Sequence, residues 1–286
     1  MIIGHGRVSF EKSYRDTISL ILMDKCALNV TWNDTCYSLS QLREIAREYN
    51  RTHTEPIPLN SDPKTLVQKL QKRFHNVCGT DETCWLSFMK NGNRKRTIER
   101  EAFKLKIKQL AKLSSDDIEY VMEQYSKTVK SFAFLNAVPS NIYVPKVNKM
   151  YVKRLKTIPR HNRGTSHKEV PTMISIIFNT LPHGTIGEHW VALVIDRKSK
   201  TVEYFDPVGN EPNDDIERSI AMLTDTLGAS TFRFLKNTIE HQGPDDDIDC
   251  GVYCIIFIVE RMNGRSFHNI VENDIVADRE RFFRTE

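Results

Sequence analysis

The apolar positions of this chain change their spacing near residue 170. Before that point they recur at helical intervals. Ser38-x-x-Gln41 fits a capping box, and Leu42, Ile45, Ala46 and Tyr49 follow on one helical face. Asp62-Pro63 reads as an N-cap with proline at the first helical position. The helix it opens turns Leu66, Leu70 and Phe74 inward and stops before Gly79. Residues 83–88, with Trp85 and Leu86, read as a short packed segment, and Ser114-Ser115-Asp116-Asp117 starts a further helix carrying Ile118, Val121, Met122 and Tyr125.

Beyond residue 170 the runs are short and of β type: 173–181 (MISIIFNTL), 190–196 (WVALVID), 201–205 (TVEYF) and 231–235 (TFRFL). Lys198-Ser199-Lys200 is a turn, so the second and third runs are expected to form a hairpin. Residues 214–227 have the spacing of an amphipathic helix. Residues 251–262 are nearly all apolar until Glu260, too long for an ordinary strand, and read as a buried helix ending near Gly264. The expected architecture is α+β: a mainly antiparallel sheet packed around a central helix at 113–286, preceded by a helical N-terminal arm at 1–112.

A chain of 286 residues can bury one good core and carry a second, smaller lobe. With 40% hydrophobic and 27% charged residues, wholesale disorder is excluded. No apolar run approaches the ~20 residues that span a bilayer, so no membrane association is expected. The start, MIIGHGRVSFEK, lacks the pattern of a secretory leader. On that basis the six cysteines (26, 36, 78, 84, 250 and 254) are expected as reduced thiols in a cytosol-like compartment. There is no C-x-x-C, and Cys78-x5-Cys84 has no second ligand pair nearby, so no metal site is expected.

The net charge of +4 leaves any nucleic-acid contact to local patches. Residues 90–112 hold nine basic and two acidic residues, broken by Gly92; the run from Arg94 to Lys112 is the densest part. A run of this kind is ordinarily a solvated helix face. A second basic stretch, 146–168, includes Arg160, Arg163 and Gly164 and is expected to form an exposed strand and loop.

Three residue types then stand at the edges of apolar segments: His189 before the 190–196 run, Asp206 after the 201–205 run, and Cys250 before the buried helix. A thiol at a helix start lies where unsatisfied N–H groups and the helix dipole favour a thiolate. In a hairpin turning at 198–200, position 190 lies roughly opposite 205 or 206, which brings Asp206 beside His189. Taken singly, each residue has a plain reading: a buried cysteine, a packed His-Trp pair, an Asp-Pro turn. Together they read as a thiol nucleophile, its base and the group that orients the base.

The segments GEHWVALVID, VEYFDPVG and HQGPDDDIDCGVYC resemble the ubiquitin-like-protein proteases and the adenovirus endopeptidase. They are most similar in appearance to the polyprotein-processing proteases of large DNA viruses, such as African swine fever virus. The likeness covers about residues 115–275. It implies a papain-like cysteine protease core needing no cofactor, with His189 as general base, Asp206 as its orienter and Cys250 as nucleophile.

It also implies a glutamine that stabilises the oxyanion. The candidate is Gln242, eight residues before Cys250 where the family spacing is about six, so the loop 243–249 is enlarged by two. Trp190 is expected to narrow a substrate channel to slim residues, giving cleavage after Gly-Gly or a similar small pair. Asp245, Asp246, Asp247 and Asp249 oppose thiolate formation, and either attract basic substrate residues or form a solvated turn. His183, in a Leu-Pro-His-Gly loop, is a rival base without the following aromatic residue. His241 is a neighbour of the oxyanion loop or a surface histidine, and Cys254 is structural.

The function these features imply is a thiol endopeptidase that matures viral structural polyproteins, in the host cytoplasm, the viral factory or the virion, and is not secreted. The alternatives are a deconjugase of a ubiquitin-like modifier and a catalytically silent binding module of the same fold. The expected partner is a protein substrate, with phosphate contact through the 94–112 run as a further possibility.

Overall fold

The computed structural model describes residues 25–27, 35–108, 111–158 and 170–285, which fall into two units: Met1–Lys106 with Glu280–Thr285, and Ile107–Arg279. In the first unit the capping signals are used as read. The Ser38 hydroxyl accepts from the Gln41 N–H while Gln41 Oε1 accepts from the Ser38 N–H at 2.8 Å, opening α1 (Leu39–Asn50). Asp62 accepts from the Thr65 N–H at 3.0 Å and opens α2 (Pro63–Cys78), which ends at Gly79 with φ +56°. A 3-10 helix, Glu82–Phe88, and α3 (Gly92–Ala102) follow, so Gly92 opens a helix and does not break the basic stretch. Their apolar faces meet on Tyr37, Phe74, Trp85 and Phe103, with Tyr37 stacked on Trp85 at 5.7 Å between ring centroids.

The expectation of reduced thiols is overturned in this unit. Cys26 is bonded to Cys36 and Cys78 to Cys84, with Cα separations of 5.1 and 5.5 Å, while Cys250 and Cys254 are free. Residue spacing hides the second pairing because closure depends on the left-handed Gly79, which reverses the chain and returns Cys84 to the end of α2. Cysteine usage therefore gives no support for a reducing compartment. The basic run is also less free than it reads: Arg94 donates to both Glu44 carboxylate oxygens at 2.9 Å, and Lys104 is buried with its ammonium on the Glu280 carbonyl.

A short strand, β1 (Leu105–Ile107), leads onward. In the second unit a Ser114–Asp117 capping box starts α4 (Ser115–Thr128), followed by β2 (Phe132–Val138) and α5 (Pro145–Tyr151). Helix α5 and a 3-10 turn, Lys153–Thr157, stand where an exposed strand and loop was expected, because Pro145 suits the first helical position and Val147 and Leu155 are buried. The rest of that expectation, including Arg160 and Arg163, lies outside the described residues.

Then come β3 (Met173–Asn179), β4 (Trp190–Asp196), β5 (Thr201–Phe205), α6 (Asp214–Leu227), β6 (Arg233–Lys236), α7 (Cys250–Met262) and α8 (Phe267–Val271). The final strand, β7 (Phe283–Thr285), belongs to the first unit, where Arg284 Nε donates to the Lys104 carbonyl at 2.8 Å.

The strand order is β2-β3-β4-β5-β6. The two central pairings, β3–β4 and β4–β5, are antiparallel, as the hairpin required; β2 and β6 join the edges in parallel. Val191 to Ile195 are buried without alternation because both faces of β4 are covered. Helix α7 packs along β4, and the residues of α6 form a core on the sheet with Val191, Leu193 and Ile195. The result is the expected α+β core around a buried helix.

Candidate active site

Cys250 is the first residue of α7 and is 2% exposed. The helix starts there because the Tyr253 N–H bonds the Asp249 carbonyl at 3.0 Å, and it continues because every residue from Cys250 to Val259 is buried. His189 stands one residue before β4 and Asp206 one residue after β5. The ladder pairs Ala192 with Phe205, so continuing it by one puts Asp206 level with Val191, one residue off the expected facing. The imidazole spans the offset: His189 Nε2 lies 2.7 Å from Asp206 Oδ1.

Asp206 is itself fixed. Its Oδ1 accepts from the Val208 N–H at 2.9 Å. Asn237, just past β6, accepts from the Asp206 N–H at 2.8 Å and donates to its carbonyl at 2.7 Å. Asn237 is buried and carries no local sequence signal; its pairing with Asp206 depends on the parallel β5–β6 ladder.

With Nε2 on the carboxylate, Nδ1 is the nitrogen left for the thiol, and Cys250 hydrogen-bonds the same ring. Burial by itself would lower the His189 pKa. The hydrogen bonds to Asp206 and Cys250 and the charges on both outweigh it, and the pKa is pushed up to about 9. The ring is therefore an imidazolium at neutral pH. Four residues along α7, the Cys254 thiol is fully buried and donates to the Trp190 carbonyl at 3.3 Å. Burial first, then the charges at Cys250 and Asp206, push its pKa well up, so it is an inert thiol.

Gln242 is buried beside the same strand end, its N–H on the Pro207 carbonyl at 2.9 Å. Its side-chain Nε2 donates to the Asp246 carbonyl at 2.6 Å, which spends one of its two N–H groups inside the enlarged loop. That loop is organised around Asp246, whose Oδ1 accepts from the N–H groups of Ile248 and Asp249 at 3.1 and 3.0 Å. Asp245 and Asp247 are exposed, and Asp249 is paired with Arg279.

The His183 ring is bound to the Tyr151 hydroxyl at 3.1 Å and its backbone N–H donates to Asn141, apart from the His189–Asp206 pair. His241 packs its ring near Phe205, and burial holds its pKa down.

The Trp190 indole donates to the Leu113 carbonyl at 2.9 Å. Leu113, Ser114, Asn179, Gly187, Glu188 and Trp190 are among the residues lining a cavity of about 310 Å³. Gly187 is required here, since a Cβ at that position would meet the Asn179 amide at 2.3 Å. Among the described residues, no group of three or more His, Cys, Asp or Glu side chains is placed to hold a metal ion, and no helix is long and apolar enough to cross a membrane.

A thiol at a buried helix start, facing a histidine pinned by an aspartate, on a five-stranded sheet, defines a papain-like cysteine protease. Residues 140–285, just over half of the chain, match the Ulp1 protease family, C-terminal catalytic domain. The chain belongs to this family and is a cysteine protease. R355 of Acanthamoeba polyphaga mimivirus, which bears the name of a thiol protease, is 30% identical over 269 residues, 85% of each chain. The protease of Porcine adenovirus A serotype 3 is 28% identical over 109 residues, 33% of this chain and 53% of that protein. The crystal structure of the ASFV pS273R protease has the same fold, with a TM-score of 0.59 at 18% identity over 92% of this chain and 96% of that one. The family resemblance read from the three motif segments is borne out.

Proposed function

We propose that the protein is an endopeptidase in which Cys250 is the nucleophile, His189 the general acid and base, and Asp206 the group that holds the imidazole. The observation that carries this reading is the pinned His189 beside a thiol at the start of α7. The Cys250 thiolate attacks the scissile carbonyl carbon. The oxyanion accepts from the Cys250 N–H and from the second N–H of Gln242 Nε2, while the first stays on Asp246. His189 passes its proton to the leaving amine, which departs as the C–N bond breaks and leaves a thioester. Water then attacks the thioester with His189 as base, and the carboxylic acid leaves as the thiol is restored.

The substrate is a protein. Gly187 has no room for a Cβ against Asn179 and lines the same cavity as Trp190, which supports cleavage after a slim pair such as Gly-Gly. Two similar proteins are viral proteases, which supports maturation of viral structural polyproteins as the biological role.

The test is hydrolysis of a Gly-Gly-X peptide series by wild type and Cys250→Ser, with thiol alkylation followed by mass spectrometry. Cleavage by wild type alone, with Cys250 alkylated ahead of Cys254, supports the reading. Equal cleavage by both proteins, or a Cys250 no more reactive than Cys254, sinks it.

A further inference from the structure

Aspartate is among the strongest N-cap residues, because its carboxylate accepts a first-turn N–H. Six described α-helices here begin after Ser, Asp or Asn (Ser38, Asp62, Asn91, Ser114, Asn213 and Ser266), and in each the side chain accepts from a first-turn N–H. Asp249 holds the N-cap position of α7 and makes no such bond. Its backbone, at φ −94° and ψ 5°, lacks the extended geometry of the other six, because its N–H is drawn to Asp246 Oδ1 at 3.0 Å.

The missing cap bond has a visible cause. Arg279 Nε donates to Asp249 Oδ1, and Nη2 donates to the carbonyls of Ala111 at 2.8 Å and Ile248 at 3.3 Å. Arg279 is buried and its guanidinium is set by three acceptors, so the carboxylate is held where the arginine is. Of the early N–H groups of α7, those of Cys250, Gly251 and Val252 have no side-chain cap.

We propose that Arg279 is a positioning residue of the proteolytic site: it draws the Asp249 carboxylate off the start of α7, leaving the helix N–H groups to the Cys250 thiolate and the reacting carbonyl. This rests on the reading of Cys250 as the nucleophile. An unpaired Asp249 would act twice against the site. It would occupy the N–H groups that stabilise the anion, and it would set a like charge one residue from the thiolate. The titratable groups coupled to Cys250 are His189 from the hairpin and Cys254 from α7 itself; Asp249 is acted on by Arg279 and by Asp246 from the loop. Burial and Asp246 push the Asp249 carboxyl up, while Arg279 opposes both.

The test is the pH dependence of Cys250 alkylation by iodoacetamide, read on the Cys250 peptide by mass spectrometry and paired with kcat/KM on a Gly-Gly-X peptide. Arg279→Met is expected to raise the midpoint of the alkylation profile by about one pH unit. Alkylation and kcat/KM below the wild-type midpoint should fall by about tenfold and recover above the shifted midpoint. Adding Asp249→Asn to Arg279→Met is expected to restore the profile. A loss equal at every pH, or no rescue by Asp249→Asn, would mean that Arg279 only supports the fold and overturns the proposal.

Should Arg279→Met fail to fold, Asp249→Asn alone decides. It leaves the arginine charge unopposed, so the midpoint must move down, and an unchanged or raised midpoint overturns the proposal. Wild-type hydrolysis by Cys250→Ser would remove the nucleophile reading separately, since the alkylation profile judges Arg279 on its own.

Discussion

Arg261, near the end of α7, donates from Nε and Nη2 to the two carboxylate oxygens of Glu203 on β5, at 2.6 and 2.9 Å, with both side chains closed off from water. Nη2 also reaches Asp196, the last residue of β4, at 3.0 Å. The helix that starts with Cys250 is thereby clamped to the hairpin that presents His189 and Asp206. Glu203→Gln leaves the guanidinium with one carboxylate partner in a buried setting and is expected to destabilise the protein by about 3 kcal/mol in urea unfolding. Glu203→Leu combined with Arg261→Met is expected to recover much of that stability, because no charge is then left buried.

The raised His189 pKa sets an alkaline limit. The imidazolium is lost as pH rises through about 9, so kcat/KM is expected to fall along that limb. Asp206→Asn removes the charge that holds the proton. The limb should shift to lower pH and the rate at its optimum should drop by about 100-fold or more, read from pH–rate profiles. The same shift has a stability sign. The folded-state pKa exceeds the unfolded one near 6.5, so the stabilisation is full below about 6.5 and disappears as pH passes through about 9.

Gln242→Ala is expected to lower kcat by about 100-fold with little change in KM, since the lost donor serves the transition state and not the bound substrate. The alkylation rate of Cys250 should be nearly unchanged, because the ground-state thiolate does not use the amide. A parallel loss of alkylation would place Gln242 among the residues that hold the loop and not the oxyanion.

Gly251 follows Cys250 where Leu113 lies against the backbone: a Cβ at 251 would meet Leu113 Cβ and Cδ1 at 3.2 Å. Gly251→Ala must push Leu113, whose carbonyl anchors the Trp190 indole, at a cost of about 1–3 kcal/mol. The expected outcome is a raised KM for Gly-Gly-X peptides with a modest fall in melting temperature, checked by kinetics and calorimetry on the same preparation.

What the sequence made readable is local. The Ser38–Gln41 box, the Asp62-Pro63 start, the 198–200 turn and the apolar helix after Cys250 depend on neighbours within a few positions. The facing of His189 and Asp206 followed from the hairpin, to within one residue. Strand β2 passed unnoticed because FAFLNAV is a short apolar run whose partner β3 is some forty residues away and parallel. Asn237 and Arg279 were missed for the same reason: one meets Asp206 across 31 positions, the other Asp249 across 30. The Cys78–Cys84 bond is local but depends on the positive φ of Gly79, which residue spacing does not reveal. The partner of Asp249, the nearest of the four carboxylates before the thiol, was equally out of sight, because Arg279 reaches it from 30 positions away.

All four paired cysteines lie in one unit and both free thiols in the other, so the two halves of the chain make opposite demands on the medium. A strong reductant, the usual additive for keeping a thiol enzyme alive, guards Cys250 while opening the crosslinks that brace α2 and its neighbours. Activity in high dithiothreitol is therefore expected to report a partly unlaced protein, and a buffered glutathione couple is the medium that keeps both the crosslinks and the free thiols.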